Sequence, residues 1–216
     1  MRRRRYDVVV IGAGTAGLVA ATRLAEAGAD VCVVAKGIGS THLAPGTIDV
    51  LGYGPELVDS PLGGIAALVA ARPDHPYALI GSVAISEAAD WFIATAARGA
   101  LPGYDYTGSL MRNLLLPTAL GVLKPSALVP ETFAAGESVQ LGRVAIVGTP
   151  LLRDFHAPLC AENLRLTGID ATAVAINIEL DRADANTLGL ARRFDDPGWR
   201  ATFAARLAPL VGAAEH

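Results

Sequence analysis

Tyr6-Asp7-Val8-Val9-Val10-Ile11-Gly12-Ala13-Gly14-Thr15-Ala16-Gly17, continued by Leu18 to Ala27 and then by Val31-Cys32-Val33-Val34, is the stretch that decides the fold. A short β-branched run has strand character. It meets three glycines spaced G-x-G-x-x-G, then an Ala- and Leu-rich run closed by Gly28, then a second β-branched run. That is the order of a βαβ dinucleotide-binding unit. Gly12 permits the sharp turn out of the strand, Gly14 lets the backbone approach a phosphate, and Gly17 lets the helix pack closely on the strand. Ala13, Thr15 and Ala16 stand between and beside them, where a helix N-terminus offers N–H groups and partial positive charge to an anion.

One part of that fingerprint is missing. A unit that grips an adenosine ribose ends its second strand with Asp or Glu, about 20 residues past the glycines. Here the position holds Ala35-Lys36-Gly37, and no acid occurs between Val31 and Ile48. The gap weighs most against NAD. It also favours FMN over FAD, because the adenosine half of FAD loses a charged ribose contact. Ala35 and Lys36 remain candidate cofactor neighbours by position.

The loop that follows, Gly37-Ile38-Gly39-Ser40-Thr41-His42-Leu43-Ala44-Pro45-Gly46-Thr47-Ile48-Asp49, is too small and polar for core structure. It begins at the carboxyl end of a parallel strand, the edge at which open α/β sheets bind ligands. Ser40, Thr41 and Thr47, with the backbone near Gly46, are candidate hydrogen-bond partners for phosphate or flavin ring atoms. His42 reads as a loop histidine before it reads as a base.

Composition sets the outer limits. Of the 216 residues 52% are hydrophobic, the mean hydropathy is +0.40, and no uninterrupted apolar run reaches the length of a membrane span. A net charge of −3 argues against nucleic acid as the main partner. Cys32 and Cys160 have no metal spacing and read as reduced core cysteines. Arg2 to Arg5 resemble the start of a signal peptide, but the apolar stretch behind them contains the glycine fingerprint. They read as a basic lead-in to the first strand.

The first helix is expected over Thr15–Ala27, with Leu18, Ala21 and Leu24 toward the sheet. Eight of the 13 prolines fall between Leu51 and Gly142. Helices are expected there over Leu62–Ala71 and over Ser86–Arg98, the latter capped by Ser86 and stopped by Gly99. Leu101–Val139 reads as loops and short strands, with Arg112 and Lys124 its candidate anion contacts, solvated cations being the simpler reading of both. A second βαβ order starts at Arg143: strand Val144–Gly148, helix Leu151–Thr167, strand Ala171–Ile178. Gly148-Thr149-Pro150 lacks phosphate-binding glycines, so this unit reads as structural, with Asp154 complementing the dipole of its helix. Trp199, Phe203, Leu207 and Leu210 form a stripe on a last amphipathic helix. No Ser-His-Asp signature, metal-ligand cluster or P-loop occurs, and catalytic residues are not identifiable. The division that results is 1–55, the first part of a flavin- or nucleotide-binding domain; 56–142, a Pro-rich inserted region; and 143–216, a second βαβ-like lobe. The fold class is α/β, a Rossmann-like βαβ flavin-binding unit with an inserted α/β lobe.

With these residues placed, the chain resembles the B-subunit family of anaerobic glycerol-3-phosphate dehydrogenases, within the fumarate reductase-like flavoproteins. The likeness rests on Tyr6–Gly17, Ser40–Asp49, Asp74-His75-Pro76-Tyr77-Ala78-Leu79-Ile80-Gly81, and the stretch from Arg143 through Asp154-Phe155 to Leu166. It implies FMN, with FAD as the alternative, and oxidation of sn-glycerol 3-phosphate to dihydroxyacetone phosphate. It further implies two partner proteins, a catalytic A subunit and an iron–sulfur membrane-anchor C subunit, with electrons passed to a quinone pool serving fumarate or nitrate. The implied location is the cytoplasm, at the inner face of the cell membrane through those partners. Members of that family are considerably longer. The resemblance therefore implies that this chain matches their N-terminal portion, truncated at the C-terminus and incomplete as a catalyst alone. Two other readings stay open: an NAD(P)-linked Rossmann enzyme, opposed by the missing acid and the lack of a Tyr-x-x-x-Lys signature, and a non-catalytic Rossmann-fold interaction protein.

Overall fold

β-branched residues at the start of the chain make two four-residue strands, β1 (Val8–Ile11) and β2 (Val31–Val34), joined through helix α1 (Thr15–Glu26). The computed structural model describes residues 5–99, 105–138, 142–178 and 186–214, so Arg2–Arg4 lie outside the described residues. The chain divides into two compact units, Met1–Gly46 and Thr47–His216.

In the first unit β1 and β2 pair in parallel from Val8↔Val31 to Ile11↔Val34. Their ladder is extended at both ends. The Asp7 N–H donates to the Asp30 carbonyl and the Gly12 N–H to the Val34 carbonyl, each at 2.9 Å. The Asp7 carboxylate also accepts from the Asp30 N–H at 2.9 Å. α1 lies where the pattern puts it, but its inner stripe differs from expectation. Ala21 is buried and Gly17 and Leu24 are half-buried, whereas Leu18 is 45% exposed. Gly17, Ala21 and Leu24 share one helix face at spacings of four and three, and Leu18 sits about 100° round from it. The face that meets the strands is led by the smallest side chain, which is what close helix–strand approach requires. The opposite face of β1 carries Val9 and Ile11, the latter 88% exposed.

The second unit is built from three local modules. Helices α2 (Pro61–Ala71), α3 (Pro76–Ile80) and α4 (Ser82–Ala97) come first. The Ser60 hydroxyl caps α2 by accepting from the Gly63 N–H at 3.2 Å. α4 begins at Ser82, four residues before the expected Ser86, because Gly81 breaks the chain between α3 and α4 and serves as the N-cap of α4. Ser86 is therefore interior. The Asp74–Gly81 segment works as a clasp. His75 Nδ1 accepts from the Tyr77 N–H at 3.1 Å, starting α3, and the Tyr77 hydroxyl donates to the Val50 carbonyl.

Two antiparallel pairs follow: β3 (Tyr106–Gly108) with β6 (Leu128–Pro130), and β4 (Leu114–Pro117) with β5 (Leu123–Ser126). A short turn from Thr118 to Val122 closes the second pair, tied by the Thr118 N–H to the Val122 carbonyl at 2.9 Å. Leu110, Ala127 and Leu128 form the core here, packed by Leu62, Ile85, Phe92 and Tyr106. Full burial of a residue such as Leu128 contributes about 1.5–3 kcal/mol. Asn113, buried, donates to the Leu51 and Val58 carbonyls at 2.9 and 2.8 Å and so pins the segment that leads into α2.

After the short α5 (Glu131–Ala134), the third module is β7 (Arg143–Gly148), α6 (Ala157–Leu166) and β8 (Asp170–Ala175). The strands are parallel from Arg143↔Asp170 to Gly148↔Ala175. Cys160, Ala161 and Leu164 of α6 fill the space over them with Ile169 and Ala171. α6 starts six residues later than the apolar pattern suggests. Thr149–Leu152 is a turn, closed by the Leu152 N–H on the Thr149 carbonyl at 3.1 Å. His156 then caps the helix, its Nδ1 accepting from the Leu159 N–H at 3.2 Å, with a proline in the first turn. α7 (Thr187–Phe194) and α8 (Pro197–Ala214) end the described chain. Phe194, Trp199 and Phe203 pack as one aromatic cluster with centroids 4.9–5.2 Å apart. Trp199, Phe203 and Leu207 are half-buried, while Leu210 points outward.

Candidate functional site

The glycine turn between β1 and α1 has the features that anion binding at a helix N-terminus demands. Gly12 adopts a φ of 109°, open to glycine and costly for any other residue. A Cβ on Gly17 would lie 2.3 Å from the Gly12 carbonyl oxygen, so the helix is packed against the turn as closely as its backbone allows. A Cβ on Gly14, in contrast, meets nothing within 4 Å. Gly14 is the N-cap of α1 and no side chain caps the helix there, nor does its first turn contain an acid. The first N–H groups of a helix have no intrahelical acceptor. Open space at Gly14, an N-cap residue without a side-chain cap and a first turn without a carboxylate fit a phosphate group.

A second segment closes on this turn, and its key residue is one that sequence reasoning passed over. Gly39 has a φ of 75°, and a Cβ there would lie 2.6 Å from the Ala13 carbonyl oxygen and 2.9 Å from the Gly14 nitrogen. The backbone of the 37–46 loop thus touches the middle of the G-x-G-x-x-G turn. Ser40, the next residue, opens a 3-10 turn over Ser40–Leu43 and is exposed. Gly39 was the available signal: a glycine just past the second strand can mark a close backbone approach.

The remaining candidates divide by unit. Ala35 and Lys36 follow β2 and are exposed, and the acids Asp7 and Asp30 precede their strands, at the opposite end from the glycine turn. Gly46 closes the first unit. The side chains of Thr41 and His42 lie outside the described ones. Thr47 belongs to the second unit, where its hydroxyl accepts from Lys124 Nζ at 2.8 Å.

Neither candidate anion contact is a simple solvated cation. Lys124, 27% exposed, also pairs with the Asp49 carboxylate at 2.8 Å. Arg112 pairs with Glu137, whose side chain is only 3% exposed. Asp154 does not cap the helix it precedes. Its carboxylate accepts from the Thr187 N–H at 3.0 Å and the Thr187 hydroxyl at 2.6 Å, at the start of α7. The Thr187 hydroxyl first, and its N–H second, hold this carboxyl below the usual range. Burial pushes the Cys160 thiol up, which suits an inert core cysteine. Among the described residues no cluster of His, Cys, Asp or Glu is arranged to hold a metal ion, and no helix is long and apolar enough to cross a membrane.

With this geometry in view, the sequence profile of the FAD binding domain family matches residues 7–203. Among curated proteins, the chain is 33% identical over 224 aligned positions to the B subunit of an anaerobic glycerol-3-phosphate dehydrogenase from Yersinia pestis bv. Antiqua (strain Antiqua), covering 98% of this chain and 52% of that protein. The corresponding protein of Aliivibrio fischeri (strain MJ11) is 30% identical, over 80% of this chain and 40% of its own length. A protein from Halobacterium salinarum (strain ATCC 29341 / DSM 671 / R1), named as the probable B subunit of the same kind of dehydrogenase, is 35% identical over 76% of this chain and 37% of its own. The chain spans about half the length of the Yersinia relative. No solved structure matches.

Proposed function

The chain belongs to the FAD binding domain family, and from that membership we propose that it forms the flavin-binding part of the B subunit of an anaerobic glycerol-3-phosphate dehydrogenase. The observation that carries the reading is the cradle at Gly12–Gly17, with its open space at Gly14 and Gly39 pressed against it. In this reading the backbone N–H groups from Ala13 to Gly17 hold the flavin phosphate at the α1 N-terminus, and Ser40, Thr41 and Gly46 contact the flavin beyond it. Flavin supplies the capacity to accept a hydride or two electrons from a carbon substrate. The substrate proposed is sn-glycerol 3-phosphate, oxidised to dihydroxyacetone phosphate, with electrons passed to the quinone pool. The partners proposed are a catalytic A subunit and an iron–sulfur membrane-anchor C subunit, which hold this chain at the inner face of the cell membrane. The division into 1–55, 56–142 and 143–216 belongs to this proposal: a cofactor segment, an inserted region and a second lobe.

FMN is the preferred flavin, because Ala35 and Lys36 stand where a ribose-binding acid is needed. Purified chain is expected to bind flavin with an oxidised absorption band near ~450 nm, a property of the cofactor itself. Acid extraction and chromatography then identify it. A clean FAD peak overturns the FMN preference, and no binding of either flavin overturns the functional reading. Glycerol-3-phosphate-dependent dye reduction is expected with the partner proteins present, and not with this chain alone.

A further inference from the structure

The end of β2 carries a cation to which the cradle at Gly12–Gly17 assigns no role. We infer that Lys36 selects FMN over FAD, its ammonium serving as the counter-charge for a terminal phosphate monoester at the glycine turn. The inference rests on the flavin reading above and gives one residue its task within that site.

Charge is the first reason. A phosphate monoester carries about −1.5 to −2 at pH 7, and a helix N-terminus offers roughly +0.5. About one unit of negative charge or more is left for another group to neutralise. From Val8 to Thr22 and from Val31 to Gly46 the sequence holds a single Lys, Arg, Asp or Glu, and it is Lys36. The other described charges of the first unit stand at the far end from the glycine turn. Arg5, Asp7 and Asp30 precede the strands, while Arg23 and Glu26 lie in the last turn of α1, paired at 3.6 Å.

Position is the second reason. The Val34 carbonyl, two residues before Lys36, accepts from the Gly12 N–H at 2.9 Å. Gly39, three residues after it, lies with its backbone against Ala13 and Gly14. Lys36 is thus bracketed by two backbone contacts to the glycine turn. Its Cα stands at most about 7 Å from that of Val34, and its ammonium rides on a flexible four-carbon stem. The group is also uncommitted. Among the described residues Lys36 has no hydrogen-bond or ion-pair partner, whereas the other lysine, Lys124, is held by Thr47 and Asp49.

These features separate the two flavins. The end of β2 is where a βαβ unit places an adenosine ribose, whose hydroxyls donate to an acid there. A lysine has donors only and accepts nothing. A cofactor that continues into adenosine therefore loses its ribose acceptor at this point, and its bridged phosphates are each singly charged. A cofactor that stops at its phosphate ends beside a cation, with the full charge of a monoester.

The test is a fluorescence titration of the purified chain with FMN, riboflavin and FAD, with NADP as a competitor. The parent is expected to bind FMN more tightly than riboflavin or FAD. Lys36→Gln is expected to weaken FMN about tenfold, the loss of one charge-assisted hydrogen bond, and to leave riboflavin within about twofold. Lys36→Arg keeps the positive charge and is expected to retain most of the FMN affinity. Lys36→Asp restores a ribose acid and is expected to shift the ratio of affinities toward FAD. The side chain is exposed, so urea unfolding midpoints of all three variants are expected to match the parent. Failure of the parent to bind any flavin overturns the flavin reading and this inference together. Flavin binding in which Lys36→Gln weakens FMN and riboflavin equally, or weakens neither, overturns this inference alone. So does a parent that prefers FAD, or one that binds NADP more tightly than FMN and loses it in Lys36→Gln, the behaviour of a 2′-phosphate contact.

Discussion

Adding one methyl group at Gly39 separates two roles that the glycines of the first unit share. An alanine there has to hold a φ of 75°, which costs an L-residue about 1–2 kcal/mol. Its Cβ also falls 2.6 Å from the Ala13 carbonyl oxygen and 2.9 Å from the Gly14 nitrogen, both backbone atoms that cannot swing aside. The two segments have to part by roughly 0.8 Å to restore ordinary contact, and overpacking of this kind costs about 1–3 kcal/mol. Gly39→Ala is therefore expected to lose about 2–5 kcal/mol of stability in the first unit. The same displacement moves the amides around Gly14. Losing one charged hydrogen bond to phosphate, about 1.5–3 kcal/mol, weakens flavin roughly tenfold to a hundredfold. The assay is a flavin fluorescence titration, paired with urea unfolding followed by circular dichroism in the absence of flavin. Gly37→Ala is the control, since a Cβ at Gly37 meets nothing within 4 Å. The reasoning is refuted if Gly39→Ala binds flavin within twofold of the parent with an unchanged unfolding midpoint, or if Gly37→Ala does equal damage.

Gly14→Val is expected to remove flavin binding while leaving the unfolding midpoint nearly unchanged, because its Cβ enters space empty of protein; Gly17→Ala, meeting the Gly12 oxygen at 2.3 Å, is expected to lower the midpoint as well. Asp154→Asn tests the contact to Thr187 by pH. The folded carboxyl titrates below its ordinary value, so its stabilisation is present above the unfolded pKa and disappears as pH falls through the folded one. Because that carboxylate is exposed, solvent screening limits the effect to at most about 1 kcal/mol at pH 7, and denaturant midpoints of parent and variant are expected to converge under acid conditions. Arg112→Ala takes the guanidinium from the buried Glu137 carboxylate and is expected to cost about 1–3 kcal/mol, since the arginine end is half-exposed. Arg112→Ala combined with Glu137→Gln is expected to regain part of that loss, measured in the same denaturant series.

What the sequence disclosed follows the range of the forces involved. β1, α1 and β2 were legible because β-branched runs, helix formers and glycines act within a few residues of one another. The glycine turn was legible for the same reason. Leu18 was misplaced because hydrophobicity alone favours the largest apolar side chain for the inner stripe, while the distance of closest approach selects Gly17. The start of α6 was misread because Leu151 and Leu152 continue an apolar pattern across a turn; His156 and Pro158 were the better guides, since each acts locally on the helix end. Asp154 finds its partner 33 residues away, and Gly39 its neighbour 25 residues back. No local pattern encodes either meeting, although the positive φ of Gly39 was foreshadowed by its residue type.

The hold of Thr47 and Asp49 on Lys124 also has a consequence for chemical footprinting. The chain contains just two lysines, Lys36 and Lys124. One is exposed at the end of β2, and the other has its amine engaged by a hydroxyl and a carboxylate. An amine-reactive reagent therefore meets two side chains of unequal accessibility in one molecule, with Lys124 as the slow internal standard. The rate of modification at Lys36, read against Lys124 by mass spectrometry, becomes a built-in reporter of whatever occupies the edge beside the glycine turn.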